Sequence, residues 1–151
     1  MAANRETVRD AVATLLEDGL TGTGNPVQAV YNYQVGDFDG QSPVVVVSSG
    51  GSARPAMTFQ GNRATFWVNV HVFVLYSDEG DWGEDDAEDR LDLIEKEIAG
   101  IVEANRGPTD DWQKLAYGER MSGMGRTQTG SVVVGGLEYR TELIEMQAEV
   151  F

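Results

Sequence analysis

The sequence predicts an α+β fold: an antiparallel or mixed β-sheet covered on one face by an N-terminal helix and a longer central helix, with long inter-strand loops. Three observations lead to this prediction. One segment alternates apolar and polar residues for far longer than an average strand, two segments carry apolar residues at helical spacing, and the other strand-like runs are segregated from these helices. The 151 residues, 41% hydrophobic and 24% charged, fit a single domain over 1–151.

The long alternating segment is the strongest of these signals, and it predicts a strand over 64–76. One set of alternate residues is wholly apolar: Phe66, Val68, Val70, Val72, Val74 and Tyr76. The opposite set mixes aromatic, aliphatic and polar side chains: Trp67, Asn69, His71, Phe73 and Leu75. We expect a core to cover the first face, and the composition of the second indicates contact with something other than bulk water.

The N-terminal segment has the pattern of an amphipathic helix over 5–18. Asn4 is suited to cap it, and Gly19 stands where a left-handed residue ends many helices. After a loop rich in glycine and small polar residues, alternation predicts a strand over 27–34.

The next elements predict a meander of antiparallel strands with one extended loop. Turn residues precede Val44–Val47, whose four valines are typical of a strand buried on both faces. Serines and glycines then predict a flexible loop from Ser48 to about residue 62, before the long strand.

A second helix is predicted over 86–105, with apolar residues on one face and acidic residues in its first turns. Asp85 or Asp86 can cap it, and Gly107-Pro108 ends it. The following segment, 113–117, has the alternation of a short strand.

The C-terminal part predicts a hairpin. A glycine-rich linker over 118–130 leads to a strand over 131–134, and Gly135-Gly136 suits a two-residue turn of type I′ or II′. The second strand, over 137–150, alternates in a phase that slips by one residue at Ile144, which predicts a β-bulge there.

Charge and cysteine content narrow the functional classes. The chain has 25 acidic and 11 basic residues, a net charge of −14, which disfavours direct binding to nucleic acid or anionic membranes. The absence of cysteine excludes a disulfide framework, a thiolate zinc site and a cysteine nucleophile. The N-terminal residues do not predict a signal peptide. No run of about 18 apolar residues occurs, so the sequence predicts no membrane-spanning helix.

No pattern predicts a catalytic residue, a metal site or a cofactor. His71 is the single histidine, which favours a structural or interface role over a triad or ligand role. The segment Ser48–Ser52 matches neither the nucleophile-elbow nor the phosphate-loop motif, so a mobile loop is the favoured interpretation. The acidic residues between Asp78 and Asp89 could chelate calcium, but their spacing does not match an EF-hand, and a solvated helix-capping face is favoured.

Arginines and exposed apolar residues in the predicted loops indicate docking surfaces, especially in the loops at 50–62 and 118–130. Scattered arginines usually satisfy local carboxylates, and against a net charge of −14 they also suit contacts with an acidic neighbouring copy. With the mixed face of the long strand, they give these interface candidates: Arg54, Met57, Phe59, Trp67, His71, Phe73, Met121, Met124 and Arg126.

Several segments together give the chain a resemblance over nearly its whole length to tail terminator, or tail completion, proteins of long-tailed bacteriophages. The segments are the helix start at Arg5-Glu6-Thr7-Val8, the strand Ser42-Pro43-Val44-Val45-Val46-Val47-Ser48-Ser49-Gly50-Gly51, Trp67-Val68-Asn69-Val70, Asp86-Ala87-Glu88-Asp89, Trp112-Gln113-Lys114-Leu115, and Val132-Val133-Val134-Gly135-Gly136-Leu137-Glu138-Tyr139-Arg140. Their similarity is one of pattern rather than of invariant motifs.

The resemblance implies a structural virion protein rather than an enzyme. Its subunits would form a ring of six copies that caps the tail tube, ends tube polymerisation and joins the tail to the head connector, in the tail-neck region of a particle made in the host cytoplasm. DNA would pass through the ring without specific binding, and neither a cofactor nor a membrane is implied. A head-to-tail connector or stopper ring remains an alternative, as does a small-ligand-binding or enzymatic α+β domain.

Overall fold

The computed structural model describes residues 4–54, 64–76, 84–117 and 127–150. Within them the chain is α+β, with a mixed six-stranded sheet and two helices, which confirms the predicted fold class. The elements are α1 (Arg5–Leu20), β1 (Ala29–Tyr31), β2 (Val44–Ala53), β3 (Ala64–Leu75), α2 (Glu84–Ala104), β4 (Lys114–Tyr117), β5 (Thr127–Val134) and β6 (Leu137–Val150).

The sheet has the strand order β1-β2-β3-β6-β4, and β5 also pairs with β6. The predicted antiparallel meander is wrong at its first step, because β1 runs parallel to β2. The reason is that residues 32–42 cross the far side of the sheet, where the Phe38 side chain is buried, and return the chain to the end from which β1 started. This crossing also shortens β1 to three residues in place of the strand predicted over 27–34.

Both helices cover one face of the sheet, hereafter the helix face, as predicted. Asn4 caps α1 by accepting a hydrogen bond from the Glu6 amide at 2.8 Å. The prediction that Gly19 ends α1 is wrong, since the helix continues to Leu20. A Cβ atom on Gly19 would lie 2.6 Å from Ile101 Cδ1, so glycine at this position permits close approach of α2. Helix α2 begins at Glu84, so the two predicted capping aspartates lie within its first turn.

Two predicted loops are partly strand. Residues 48–53 belong to β2 and pair with β3 from Ser48–Asn69 to Ala53–Thr65, with an irregularity at Gly50. Residues 127–130 belong to β5 and pair with β6. In both places a long neighbouring strand supplies the pairing, which overrides the low strand propensity of serine and glycine.

The predicted bulge in β6 is also wrong. The register between β3 and β6 runs without a shift from the Leu75–Tyr139 pair to the Ala64–Val150 pair. The phase slip in the sequence instead marks a change in which face is buried. Tyr139 is buried on the face away from the helices, whereas Ile144 and the alternate residues after it are buried under the helices.

That second face, hereafter the far face, carries a small core of its own at one end of the sheet. It is formed by Phe38, Val44, Val46, Phe73 and Tyr139, all buried. The ring centroid of Phe38 lies 4.9 Å from that of Phe73 and 5.4 Å from that of Tyr139. The four-valine run is therefore buried on both faces, as predicted.

Candidate assembly surface

The hairpin of β5 and β6 forms one margin of the sheet. Its two-residue turn, Gly135-Gly136, has φ values of 58° and 81°, which is the left-handed backbone that type I′ turns require. A Cβ on Gly135 would lie 2.5 Å from Asp37 Oδ1, so the far-side crossing segment packs directly against the turn. The hairpin is thereby held in place from the far face.

Strand β5 is an edge strand with unusual exposure. Six of its eight residues are exposed, and no strand described here lies on its outer side. Val133 is 67% exposed, and Val132 and Leu137 beside it are 38% and 40% exposed. Charged residues and prolines usually keep an edge strand from pairing with another chain. Strand β5 contains neither.

The turn determines which backbone groups of β5 point outward. In a two-residue hairpin the residues that flank the turn, here Val134 and Leu137, form a hydrogen-bonded pair, and such pairs alternate along the ladder. The N–H and C=O groups of Val134 and Val132 thus face β6. Those of Val133, Ser131 and Thr129 face outward, where no strand of the described ranges pairs with them.

The opposite margin of the sheet is accessible only from Ser48 onward, because Val47 is 0% exposed whereas Ser48 and Ser49 are half-buried and Ser52 and Ala53 are exposed. Strand β1 pairs only with Val44–Val46, so no described strand lies beside the rest of β2, Val47–Ala53. The Pro43 carbonyl accepts a hydrogen bond from the Gln28 amide across this margin, and alternation then places the N–H and C=O groups of Val47 and Ser49 on the same outer side. This segment is also free of charged residues.

The interface candidates on the long strand have different positions. Phe73 lies in the small far-face core and is buried within the chain itself. His71 is half-buried beside it, with ring centroids 4.6 Å apart, and burial lowers the pKa of its imidazole, which favours the neutral form. Trp67 is half-buried on the same face beyond this core. The far face therefore offers His71 and Trp67 as partly accessible contacts.

The remaining candidates fall in or beside the predicted loops. Arg54 is exposed at the end of β2, and its guanidinium carbon lies 5.3 Å from the centroid of the Phe66 ring. The other five lie outside the described residues: Met57, Phe59, Met121, Met124 and Arg126. So do most residues of the two loops proposed to carry contacts.

The sequence does not predict that a carboxylate, that of Glu142, is buried on the helix face. Glu142 in β6 is 5% exposed, and burial raises the pKa of its carboxyl group. A hydrogen bond with the Thr127 side chain acts in the opposite direction, and the nearby carboxylate of Glu95 raises the pKa further. Glu95 also accepts a hydrogen bond from the Tyr117 hydroxyl at 3.3 Å. This network ties α2 to the end of β4 and the start of β5.

Replacing Glu142 with glutamine is expected to change the pH dependence of stability. Because the folded-state pKa of Glu142 is raised, the folded chain binds more protons than the unfolded chain as pH rises above about 4.5, and its stability falls through that window. Glutamine removes this loss and retains an acceptor for Thr127. We expect equal melting temperatures near pH 4 and a variant more stable by about 1 kcal/mol, or about 2–4 °C, near pH 8. Thermal melts followed by circular dichroism across pH 4–8 would measure this, and parallel curves would contradict it.

An open groove of about 460 Å³ lies between α1 and the segment after α2. Its walls carry carboxylates, including Asp10, Asp18 and Asp111, and Trp112 contributes to its apolar part. The Asp10 carboxylate accepts a hydrogen bond from Asn32 Nδ2 at 2.8 Å. Within the described ranges, no group of three or more potential metal ligands is close enough to hold an ion.

No protein-family model matches this sequence, and no curated protein matches it either. Among the helices described, none is long and apolar enough to cross a membrane.

Proposed function

We propose that this chain is a structural subunit that assembles into a ring and acts as a tail terminator of a long-tailed bacteriophage. The observation that carries the proposal is the exposed β5 edge, which is eight residues long, uncharged and without proline. An edge of this kind pairs readily with another chain, and a soluble protein keeps such an edge when pairing is part of its function.

A ring also fits the arrangement of the two sheet margins. They lie at opposite ends of the strand order, so a contact between one margin and the other is head-to-tail rather than self-complementary. Head-to-tail contacts close into a ring when the rotation per subunit divides a full turn. The resemblance of the sequence to tail terminators supports six copies.

The net charge of −14 suits a passage for DNA, since an acidic surface repels the phosphate backbone. In this proposal the ring binds the tail tube protein on one side and the head connector or stopper protein on the other. It requires neither a cofactor nor a membrane, and it operates in the tail-neck region of the virion.

The proposal can be tested by adding the purified chain to polymerising tail tubes. We expect light scattering to give a mass near six chains, alone or once tubes are present, negative-stain images to show rings at one tube end, and tube growth to stop. Rings that bind the connector and leave tube growth unchanged would assign the chain to the stopper class. A monomer that binds neither tubes nor connector, and instead binds a small molecule in the groove beside α1, would overturn the proposal.

A further inference from the structure

We propose that the ring is joined by strand pairing: β5 of one copy adds antiparallel to the accessible edge of β2, residues 48–53, of the next copy. This inference rests on the proposed ring and names the surfaces that join its subunits. It commits to a second copy of this chain as the occupant of the β5 edge.

Charge is the first argument for a second copy. Two chains that each carry a net charge of −14 repel one another, so contact surfaces without acidic residues favour their close association. Thr127–Val134 and Val47–Ala53 contain no charged residue between them. The two open margins of the sheet are thus both suited to contact an acidic neighbour.

Strand direction is the second argument. Strands β2 and β6 run the same way because both are antiparallel to β3, and β5 runs opposite to β6. If two neighbouring copies have the same orientation, β5 of one copy is antiparallel to β2 of the next. The two strands can then pair without either copy being turned around. Pairing of β5 with β5 of a second copy would stop at two subunits and would leave the β2 edge open.

Length and facing agree with this arrangement. The eight residues of β5 meet six accessible residues of β2, a ladder of roughly 20 Å at about 3.4 Å per residue. The residues with outward backbone groups, Ser131 on β5 and Ser49 on β2, both have side chains on the helix face. The paired sheets would therefore continue with helices on one side.

The joint is also staggered. The registers of β5 with β6, β6 with β3 and β3 with β2 place Thr127, the first residue of β5, in line with Val47 of β2. The rest of β5 therefore lies beside the start of β2 or before it, whereas the accessible part of β2 lies toward its end. The next copy would consequently be shifted along the strand direction by several residues. Such a shift accompanies the closure of sheets into barrels, in which strands tilt relative to the axis.

Cysteine cross-linking tests the pairing directly, because the chain contains no cysteine of its own. Ser48→Cys places a thiol on the far face of β2, and Gln128→Cys, Gly130→Cys and Val132→Cys place thiols on the far face of β5. Residues opposite each other in a non-hydrogen-bonded pair have Cα atoms about 4.5 Å apart, within disulfide range. Three β5 positions allow for different registers of the pairing.

Each β5 variant is mixed with Ser48→Cys, assembled with tubes present and oxidised, and the products are separated on a non-reducing gel. We expect a disulfide-linked pair in the mixture for at least one position, and none when either variant is oxidised alone. Val133→Cys is the matched control, since its side chain lies on the opposite face of the same strand and should give no link to Ser48→Cys. Links between two β5 cysteines, or no links at all, would overturn the proposal.

A proline variant tests the role of the outward N–H groups. Ser131→Pro removes an outward donor and leaves the backbone hydrogen bonds to β6 intact; it loses only the exposed 3.4 Å bond that Arg140 Nη1 donates to Ser131 Oγ, which Ser131→Ala loses too. We therefore expect monomers with a melting temperature close to that of the parent chain. Ser131→Ala retains the N–H and should assemble normally. Rings of unchanged mass from the proline variant would contradict strand pairing.

The outcomes separate this inference from the proposed function. Rings that cap tubes without any cross-link would overturn the strand pairing and leave the terminator proposal standing. Cross-linked rings that do not bind tubes would support the pairing and overturn the terminator proposal. Chains that remain monomeric in the presence of both tubes and connector would overturn both.

Discussion

Replacing Phe38 with alanine is expected to lower the free energy of unfolding by about 3–5 kcal/mol. Phe38 is 2% exposed and is the centre of the far-face core, where its ring contacts those of Phe73 and Tyr139. Truncation leaves a cavity between the crossing segment and the sheet, and strand pairing keeps Phe73 and Tyr139 from moving in to fill it. For a domain of this size, the loss corresponds to a fall in melting temperature of about 6–20 °C, measurable by circular dichroism.

Tyr33→Ala is the matched control for this variant. Tyr33 belongs to the same crossing segment, and its ring centroid lies 6.0 Å from that of Tyr31, which packs against the far-face core; Tyr33 itself is 59% exposed. We expect it to cost less than about 1 kcal/mol, because little apolar area is lost from the core. Equal losses in the two variants would show that the far-face core does not depend on the buried ring.

Phe38 also illustrates a limit of the sequence prediction. It lies within a segment of glycine, aspartate and proline that predicts a turn, and turn chemistry says nothing about which face of a sheet the turn crosses. The parallel pairing of β1 with β2 depends on that crossing. Local patterns predict the bounds of β3, β4 and β6 to within one residue, whereas the connection over the far face depends on the folded chain.

The prediction was most accurate where one local pattern determines the structure. Val44–Val47 are buried on both faces, Gly135-Gly136 form the turn of the hairpin, and the long strand has its predicted apolar face. It was least accurate for Gly19, which lies inside α1 and packs against a residue far away in the sequence, Ile101. A glycine next to a helix end has the same local pattern in both situations.

The candidate surface was predicted only in part. Its hairpin was expected, but residues 127–130 were assigned to a linker, so the length of the β5 edge was missed. The length of β6 could have indicated the longer edge. The hairpin partner predicted over 131–134 has four residues, too few to pair with the 14 residues of β6. The sequence predicts Phe73 as an interface candidate because it shares a face with His71, and the alternation gives no information about the small core that covers Phe73.

The second large effect is expected at Gly107, in the turn between α2 and β4. Its φ of 103° is a conformation that other residues adopt at a cost of about 1–2 kcal/mol. An added Cβ would also lie 2.7 Å from the Gln113 carbonyl oxygen and 3.2 Å from Trp112 Cδ1. We expect Gly107→Ala to lower the free energy of unfolding by about 2–5 kcal/mol, since strain and overpacking combine.

The turn has little freedom to accommodate that methyl group. The Trp112 indole N–H donates a hydrogen bond to the Asn105 carbonyl at 2.9 Å, and the Gln113 amide donates to the Glu149 carbonyl at 2.7 Å. Movement of Gln113 away from the new Cβ would therefore weaken the attachment of this turn to β6. Relief of the overpacking at one contact would cost a hydrogen bond at another.

Two further glycines separate the contributions to this loss. Gly24 has a φ of 83° but no atom within 4 Å of an added Cβ, so Gly24→Ala should show the backbone strain alone, about 1–2 kcal/mol. Gly36 has neither a positive φ nor a neighbour within 4 Å, and Gly36→Ala should change stability by less than about 1 kcal/mol. Urea titrations of the three variants would test this order, and a Gly107→Ala loss no greater than that of Gly24→Ala would show that the turn yields to the methyl group.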